Sequence, residues 1–208
     1  RLTAPGETAR AHALTEQSPL TTGLFAGKWC SYAAGPDLAH DQREEDGGAE
    51  VFESEPLETS LEILGAPVAE LEVAVDRPVA MVAARLSDVA PDDKATRVTY
   101  GLLNLTHRDG SEHPQSLEPG KRYRVQVVLN GIAQHFPAGH RLRLSLSTSY
   151  WPLAWAPPES VRLTVFTGDS GLRLPVRAPR PEDAELRPFD EPEARSEEHT
   201  SELQSPSA

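Results

Sequence analysis

The sequence predicts an all-β protein, an antiparallel β-sandwich of the jelly-roll kind. Eight short segments between Leu61 and Val176 either alternate apolar and polar residues or run continuously apolar. Because successive side chains of a strand point to opposite faces, a period of two indicates a strand with one buried face. No convincing helix lies between these segments, which favours an antiparallel sandwich over alternating strands and helices. At 208 residues, one large all-β domain accounts for the chain.

The first four predicted strands lie between residues 61 and 105. Leu61–Leu64 is followed by Val68–Val75, in which every second residue is apolar. Val79–Val89 is nearly continuous in apolar residues, which suits a central strand covered on both faces. A short helix would show a similar pattern, but the neighbouring predicted strands favour a strand for this segment as well. Val98–Leu105 alternates again and precedes the turn-forming run Arg108–Ser111.

The last four predicted strands include the clearest alternation. In Arg122–Leu129 and Arg141–Ser147 every second residue is apolar, and Leu144 is predicted to lie in the core. Two closing strands, Val161–Val165 and Leu172–Val176, flank Gly168–Gly171. The Asp and Gly residues of that segment favour a tight reversal, so we predict a hairpin.

The predicted sandwich occupies residues 49–177, and the flanking composition differs. Residues 1–48 have no sustained period and many Gly, Pro, Ser and Thr residues, which indicates an arm or linker with room for one short strand. Residues 178–194 hold four Pro among acidic residues, as a solvated linker does. Within residues 195–208, the string RSEEHTSELQS resembles the translation of a sequencing-adapter oligonucleotide. We therefore expect a non-native tail and a native sequence that stops near Ala194.

Charge and cysteine content restrict the partners. The formal net charge of −12 argues against nucleic acid, because neutralising phosphates requires clustered Lys and Arg, and none cluster here. No run approaches the roughly 18 apolar residues of a membrane span, so no membrane partner is predicted. The single Cys30 cannot form an intramolecular disulfide. The fold therefore needs no oxidising compartment, and we expect a cytoplasmic location.

No catalytic residue is predicted in this chain. Gly168–Gly171 resembles the nucleophile loop of trypsin-like proteases, but its place between two short strands favours a turn. No Gly-x-Ser-x-Gly nucleophile elbow occurs. The triplet His107–Asp109 resembles part of a kinase catalytic loop, yet the other kinase motifs are missing and a strand-end turn is favoured.

The seven histidines show no metal-ligand pattern, since none has a histidine one helical turn away or a Cys partner. His107 and His113 flank a turn and could converge, but histidines in surface loops are the commoner case. We therefore predict no metal site and no cofactor.

The aromatic run Tyr150–Trp155 follows the strand Arg141–Ser147. Its two Trp and one Tyr are compatible with a sugar-stacking platform, with a docking surface for another domain, and with burial at the rim of the sandwich. Docking or burial is favoured because aromatic side chains alone specify no ligand. On the strand itself, Arg141 and Arg143 share the solvent side, where we expect them to pair with acids on a neighbour.

Phe136–Pro152 carries a specific resemblance. Its order of Phe, spacer, Gly-His-Arg, alternating strand, Ser-rich end and Pro resembles the C-terminal domain of X-Pro dipeptidyl-peptidases and cocaine-esterase-like acyl hydrolases. Within it, residues 137–139 form a turn in which Gly139 can adopt a positive φ. Other segments resemble the family in the expected order: Asp41–Arg43, Val51–Leu57, Ile63–Gly65, Ala84–Val89 and Val125–Leu129.

The resemblance implies a galactose-binding-like jelly roll that packs against an α/β-hydrolase domain of the same parent chain. In this family the Ser, Asp and His of the triad lie N-terminal to the matching segment, so none maps onto this chain, and residues 1–48 would be the arm from that hydrolase domain. The parent would hydrolyse an ester or an X-Pro amide through an acyl-enzyme. This chain alone would be non-catalytic. The alternative from another class is a carbohydrate-binding module that uses Trp151 and Trp155, and a third option is a free-standing interaction domain.

Overall fold

A computed structural model of the chain describes residues 2–3, 10–28, 37–188 and 190. Cys30, Ala194 and the whole predicted tail, residues 195–208, lie outside the described residues. The chain divides into two compact units, residues 1–177 and 178–208. In the second unit, a 3-10 turn spans Pro181–Glu185. The first unit contains, in its described part, β1 (Ala13–Glu16), α1 (Arg43–Asp46), β2 (Glu50–Glu53), β3 (Leu61–Gly65), β4 (Val68–Val75), β5 (Met81–Val89), β6 (Ala95–Asn104), β7 (Tyr123–Val128), β8 (Ile132–Phe136), β9 (Arg141–Ser147), β10 (Leu163–Phe166) and β11 (Gly171–Arg173).

All strand pairings among the described residues are antiparallel, and they form two main sheets and a small third one. In the first sheet the order is β1, β10, β4 and β7, and β11 also pairs with β4. The second sheet has the order β2, β9, β5 and β6, and β3 pairs with β8 in the third. The prediction of an all-β antiparallel sandwich is confirmed, and its jelly-roll connectivity stays a prediction.

The core lies between the two main sheets and uses alternate residues of their strands. Leu144 of β9 is 3 % exposed, as predicted for a core position. β5 begins at Met81 and is buried along both faces, as predicted for residues 79–89. The bulky core side chains include Phe52, Ile63, Leu71, Leu86, Leu105, Leu129, Phe136, Leu146 and Leu163.

The predicted hairpin around Gly168–Gly171 is wrong. β10 and β11 both pair with β4, at Leu163↔Val75 and Arg173↔Val68, and both run antiparallel to it. They therefore point in the same direction, as two pieces of one interrupted strand. Ser170 bridges the interruption: its Oγ accepts a hydrogen bond from the Glu72 amide at 2.9 Å and donates to the Phe166 carbonyl at 2.8 Å.

The sequence pattern does not predict β2 or β8. β2 has four residues, of which only Phe52 is buried, so it shows almost no alternation. β8 combines three apolar residues with Gln134 and His135 in no regular alternation, and only Phe136 is buried. β1 is a short strand within residues 1–48, where the sequence left room for one, and it pairs with β10.

Candidate functional site

The outer face of the second sheet, which points away from the core, is polar and yet buried. Arg85 of β5 and Ser145 of β9 are 0 % exposed. Residues 18–28 and 37–48 supply hydrogen-bond partners to this face or to the residues that follow β9. Because a buried charge is costly unless it is paired and hydrogen-bonded, Arg85 needs such partners inside the fold.

Asp46, the last residue of α1, supplies several of these partners. Its carboxylate accepts hydrogen bonds from Arg143 Nη1 at 2.8 Å and from Ser145 Oγ at 2.7 Å. It also lies 3.2 Å from Arg85 Nη2. Glu53 binds the other side of the Arg143 guanidinium, with Nε to Oε2 at 2.6 Å. Burial alone would lower the pKa of Arg143, but the hydrogen bonds that Arg143 donates to Asp46 and Glu53 outweigh this effect and raise that pKa.

Glu53 of β2 also pairs with Arg141, with Nη1 to Oε1 at 2.5 Å. Arg141 and Arg143 therefore pair with an acid on the neighbouring strand, which confirms that prediction. The side chain of Arg141 is 23 % exposed and that of Arg143 is 14 % exposed. The side of β9 that the sequence assigned to solvent is thus largely covered.

Gln42 connects the polar face to the N-terminal segment. It is 0 % exposed, and its Nε2 donates to the His40 carbonyl at 2.7 Å and to the Phe25 carbonyl at 3.1 Å. Its Oε1 accepts a hydrogen bond from Arg85 Nη1 at 3.2 Å. The segment Asp41–Arg43, which carried part of the resemblance, thus has a structural role.

Glu45 fixes the turn at residues 20–25. Its carboxylate accepts hydrogen bonds from the amides of Gly23 and Phe25, the latter at 2.9 Å. Burial raises the pKa of Glu45, and the Phe25 amide and the nearby Arg85 offset part of this rise. An ionised Glu45 is therefore held in place by backbone donors rather than by a direct ion pair.

The residues after β9 pack directly on this turn. Ser18 and Thr148 exchange two hydrogen bonds between amides and hydroxyls, at 3.3 and 3.0 Å. The Trp151 amide donates to the Thr22 carbonyl at 3.0 Å. Gly23 has φ +117°, and a Cβ there would lie 1.9 Å from the Trp151 carbonyl oxygen. Only glycine fits this contact.

Tyr150 lies beneath these residues and is 0 % exposed. Its hydroxyl accepts a hydrogen bond from Arg97 Nη1 at 2.6 Å, and its ring centroid lies 5.5 Å from the Arg85 guanidinium carbon. Burial raises the pKa of the Tyr150 hydroxyl, and Arg97 opposes this effect. Tyr150 is thus a structural residue and offers no surface to a ligand.

Trp151 and Trp155, in contrast, are on the surface. Trp155 is 83 % exposed and Trp151 is 41 % exposed. Their ring centroids are 4.8 Å apart with an angle of 53° between the planes. Burial at the rim is therefore excluded for Trp155, and the docking and sugar-binding interpretations remain.

The other motifs singled out from the sequence are engaged in local structure. His107 ends a 3-10 turn, and its Nδ1 lies 3.1 Å from Ser111 Oγ. His113 is exposed and lies 3.9 Å from Glu112. In the described part of the chain no group of three or more His, Cys, Asp or Glu side chains is placed to hold a metal ion. No helix within the described residues is long and apolar enough to cross a membrane.

A family model described as the X-Pro dipeptidyl-peptidase C-terminal non-catalytic domain matches residues 3–188. The chain belongs to this family. Among curated proteins, the cocaine esterase of Rhodococcus sp. (strain MB1 Bresler) is 28 % identical over 101 residues, which cover 49 % of this chain and 18 % of the esterase. The chain thus spans about a fifth of that relative.

Solved structures share the fold of this X-Pro dipeptidyl-peptidase C-terminal domain. An α-amino acid ester hydrolase is 21 % identical with a TM-score of 0.68, over 85 % of this chain and 34 % of the hydrolase. An aminopeptidase from a marine sediment archaeon (Thaumarchaeota archaeon) is 19 % identical with a TM-score of 0.67, over 80 % and 33 %. A CocE/NonD family hydrolase from Staphylococcus aureus is 14 % identical with a TM-score of 0.60, over 83 % and 34 %.

The structure explains the family resemblance of Phe136–Pro152. Phe136 closes β8 as a buried core residue, and the turn that follows uses Gly139 with φ +82°, as expected from the sequence. The Gly139 amide donates to the Leu57 carbonyl at 2.8 Å. His140 Nδ1 lies 2.8 Å from Asp88 Oδ1. These contacts connect the signature to β5 and to the segment after β2.

The sequence did not predict that Arg85 contacts Gln42 and Asp46. The signal was present, because Arg85 interrupts the apolar run of residues 79–89. A charge in a strand that is buried on both faces requires a partner from elsewhere in the chain. The partner could not be identified, since spacing along the sequence does not show that α1 lies over β5.

Proposed function

We propose that this chain is the accessory β-sandwich domain of a serine hydrolase and packs on its α/β-hydrolase domain. The observation that carries the proposal is the family match, whose description names a non-catalytic C-terminal domain. The chain also covers only 33 % and 34 % of the aminopeptidase and the ester hydrolase. A hydrolase of that length has room for a separate catalytic domain.

The proposed parent is an X-Pro dipeptidyl-peptidase or an acyl esterase. Its triad serine would attack the acyl carbon, its histidine would carry the proton, and water would release the acyl-enzyme. In this domain Asp46 pairs with both Arg85 and Arg143, and Ser170 Oγ links the Glu72 amide to the Phe166 carbonyl. Such groups support a scaffold role rather than a reaction.

Labelling with a fluorophosphonate probe, which reacts with activated serines, tests this proposal. The purified chain is expected to show no labelling and no hydrolysis of p-nitrophenyl esters or X-Pro anilides. The parent polypeptide, once the coding sequence around residues 1–208 has been read, is expected to be labelled at a serine outside them. Labelling inside the chain that is lost in Ser170→Ala would contradict the non-catalytic role.

A carbohydrate-binding module is the second candidate, and the exposure of Trp155 is the observation that favours it. Exposed aromatic rings stack on the apolar faces of sugars. Binding of the purified chain to a glycan array that Trp151→Ala abolishes would support this candidate. Absence of binding at millimolar oligosaccharide would leave the accessory-domain proposal in place.

A further inference from the structure

We infer that Leu20, Leu24, Trp151 and Trp155, here called the tryptophan patch, are the surface through which this domain packs on the hydrolase domain. The inference rests on the proposed function and adds the contact surface to it. All four side chains are large and apolar, and they are 61, 65, 41 and 83 % exposed. Contiguous exposed apolar side chains mark interaction sites on soluble proteins.

The two halves of the tryptophan patch are held together by the backbone. Thr22 and Gly23, which lie between Leu20 and Leu24, contact the Trp151 backbone through the Trp151 amide hydrogen bond and the close approach at Gly23. Glu45 binds the amides on either side of Leu24. The patch is therefore preorganised, which lowers the entropy cost of binding.

The composition around the patch is that of a protein interface core. Residues 18–27 and 144–158 contain no charged side chain, although 25 % of the whole chain is charged. Interface cores are depleted of charge and enriched in aromatic residues, and Trp is over-represented among residues that dominate binding. A membrane surface is disfavoured, because anionic lipid attracts Lys and Arg, which both stretches lack.

The geometry of the tryptophan pair favours a protein over a sugar. The rings meet at 53° and 4.8 Å, so they pack on each other and do not form one flat platform. The hydroxyl groups that precede Trp151 are directed into the fold: Ser147 Oγ donates to the Ser149 carbonyl at 2.9 Å, and Thr148 Oγ1 accepts from the Ser18 amide. These groups are not available to a sugar hydroxyl.

The occupant is the remainder of the parent polypeptide. The chain covers about a third of each solved relative, at 33–34 % of their length. Within one polypeptide the two domains have a high effective concentration, which favours contact through this patch. A second copy of this chain has no such advantage and is an outcome of the test.

Hydroxyl-radical footprinting of Trp155 in the full-length parent and in the isolated chain tests the inference. Modification of Trp155 is expected to be about tenfold slower in the parent, as its exposed fraction falls from 83 % to that of an interface core. Leu24→Ser in the parent is expected to restore at least about a third of the modification rate seen in the isolated chain. Leu64→Ser is the matched control, since Leu64 is a 57 % exposed leucine outside the patch.

Each result supports or refutes the inference. If the parent contains a hydrolase domain and Trp155 is modified equally in both proteins, the docking surface is refuted and the proposed function stands. A parent sequence without a hydrolase domain refutes the proposed function as well. Protection of Trp155 in the isolated chain that grows with protein concentration assigns the patch to self-association and overturns the inference. Glycan binding that Trp155→Ser abolishes also overturns it.

Discussion

Asp46→Asn removes the negative charge that pairs with the buried Arg85 and with the partly exposed Arg143. The Asp46 side chain is 7 % exposed, and it contacts Arg85, which is 0 % exposed, and Arg143, which is 14 % exposed. Asparagine has nearly the same shape, so the substitution removes charge without creating a cavity. Arg143 keeps Glu53 as a partner, whereas Arg85 keeps two uncharged neighbours, the amide of Gln42 and the ring of Tyr150.

The expected cost follows from the charge that stays behind. Breaking a buried ion pair by removing one partner destabilises a protein by about 3–5 kcal/mol. The amide oxygen can still accept a hydrogen bond from Ser145, so we expect the lower end of this range, about 3 kcal/mol. For a domain of this size each kcal/mol lowers the melting temperature by about 2–4 °C. The melting temperature should therefore fall by about 6–12 °C.

Urea unfolding followed by circular dichroism measures the loss. Adding Arg85→Met to Asp46→Asn removes the uncompensated charge, so the double variant is expected to recover about 1–2 kcal/mol. Glu118→Gln is the control, because Glu118 pairs with Lys121 on the surface and the two side chains are 71 and 52 % exposed. It should leave stability unchanged. A double variant that is less stable than Asp46→Asn would refute this account of the network.

Three further predictions concern the core, the N-terminal segment and pH. Leu144→Asp is expected to destabilise the domain by about 4–5 kcal/mol, because it places a charge without a partner at a position that is 3 % exposed; an unchanged melting temperature would contradict the placement of β9. Gly23→Ala is expected to displace residues 20–25 from Trp151 and to speed proteolysis of this segment. Gly110→Ala is the control, since Gly110 also has a positive φ but a Cβ there would have no neighbour within 4 Å. Equal cleavage of residues 20–25 in both variants would contradict the close contact at Gly23. Burial raises the pKa of Glu45 from 4.5, so the folded chain holds this proton more tightly than the unfolded chain. The stability gained from this bound proton is fully present below about pH 4.5 and is lost as the pH rises through the raised pKa. In that pH window the unfolding free energy of Glu45→Gln should therefore have a more positive slope against pH than that of the unmodified chain. Identical slopes for the two proteins would refute this prediction.

The sheets could be predicted where burial is one-sided or complete. Over residues 69–73 of β4 and 141–144 of β9, the alternation in the sequence matches the alternation in burial, because one face meets the core. The pairing of Arg141 and Arg143 with an acid also followed from their shared side of a strand. These are local consequences of strand geometry, which a sequence displays directly.

The errors have a different origin. The sequence around Gly168–Gly171 has the residues of a reversal, but β4 offers one long edge on which both closing segments pair. Whether a turn reverses the chain there depends on the partner strand, which the local sequence does not contain. The burial of the polar outer face of the second sheet could not be predicted for the same reason. The residues that contact Arg85 are Gln42 and Asp46, which lie in a different part of the chain.

The buried network matters more for position than for stability. A protein in which well-packed apolar residues replace a buried ion pair is often as stable as the original or more stable. A gain in stability therefore does not explain why Arg85 and Asp46 are charged. What a charged pair adds is one fixed arrangement, because a displaced partner leaves a buried charge. Asp46 fixes α1 over the sheet, Glu45 in the same helix holds the amides beside Leu24, and that turn lies on the Trp151 backbone. The charged face of one sheet thus sets the geometry of the apolar surface that we propose for docking.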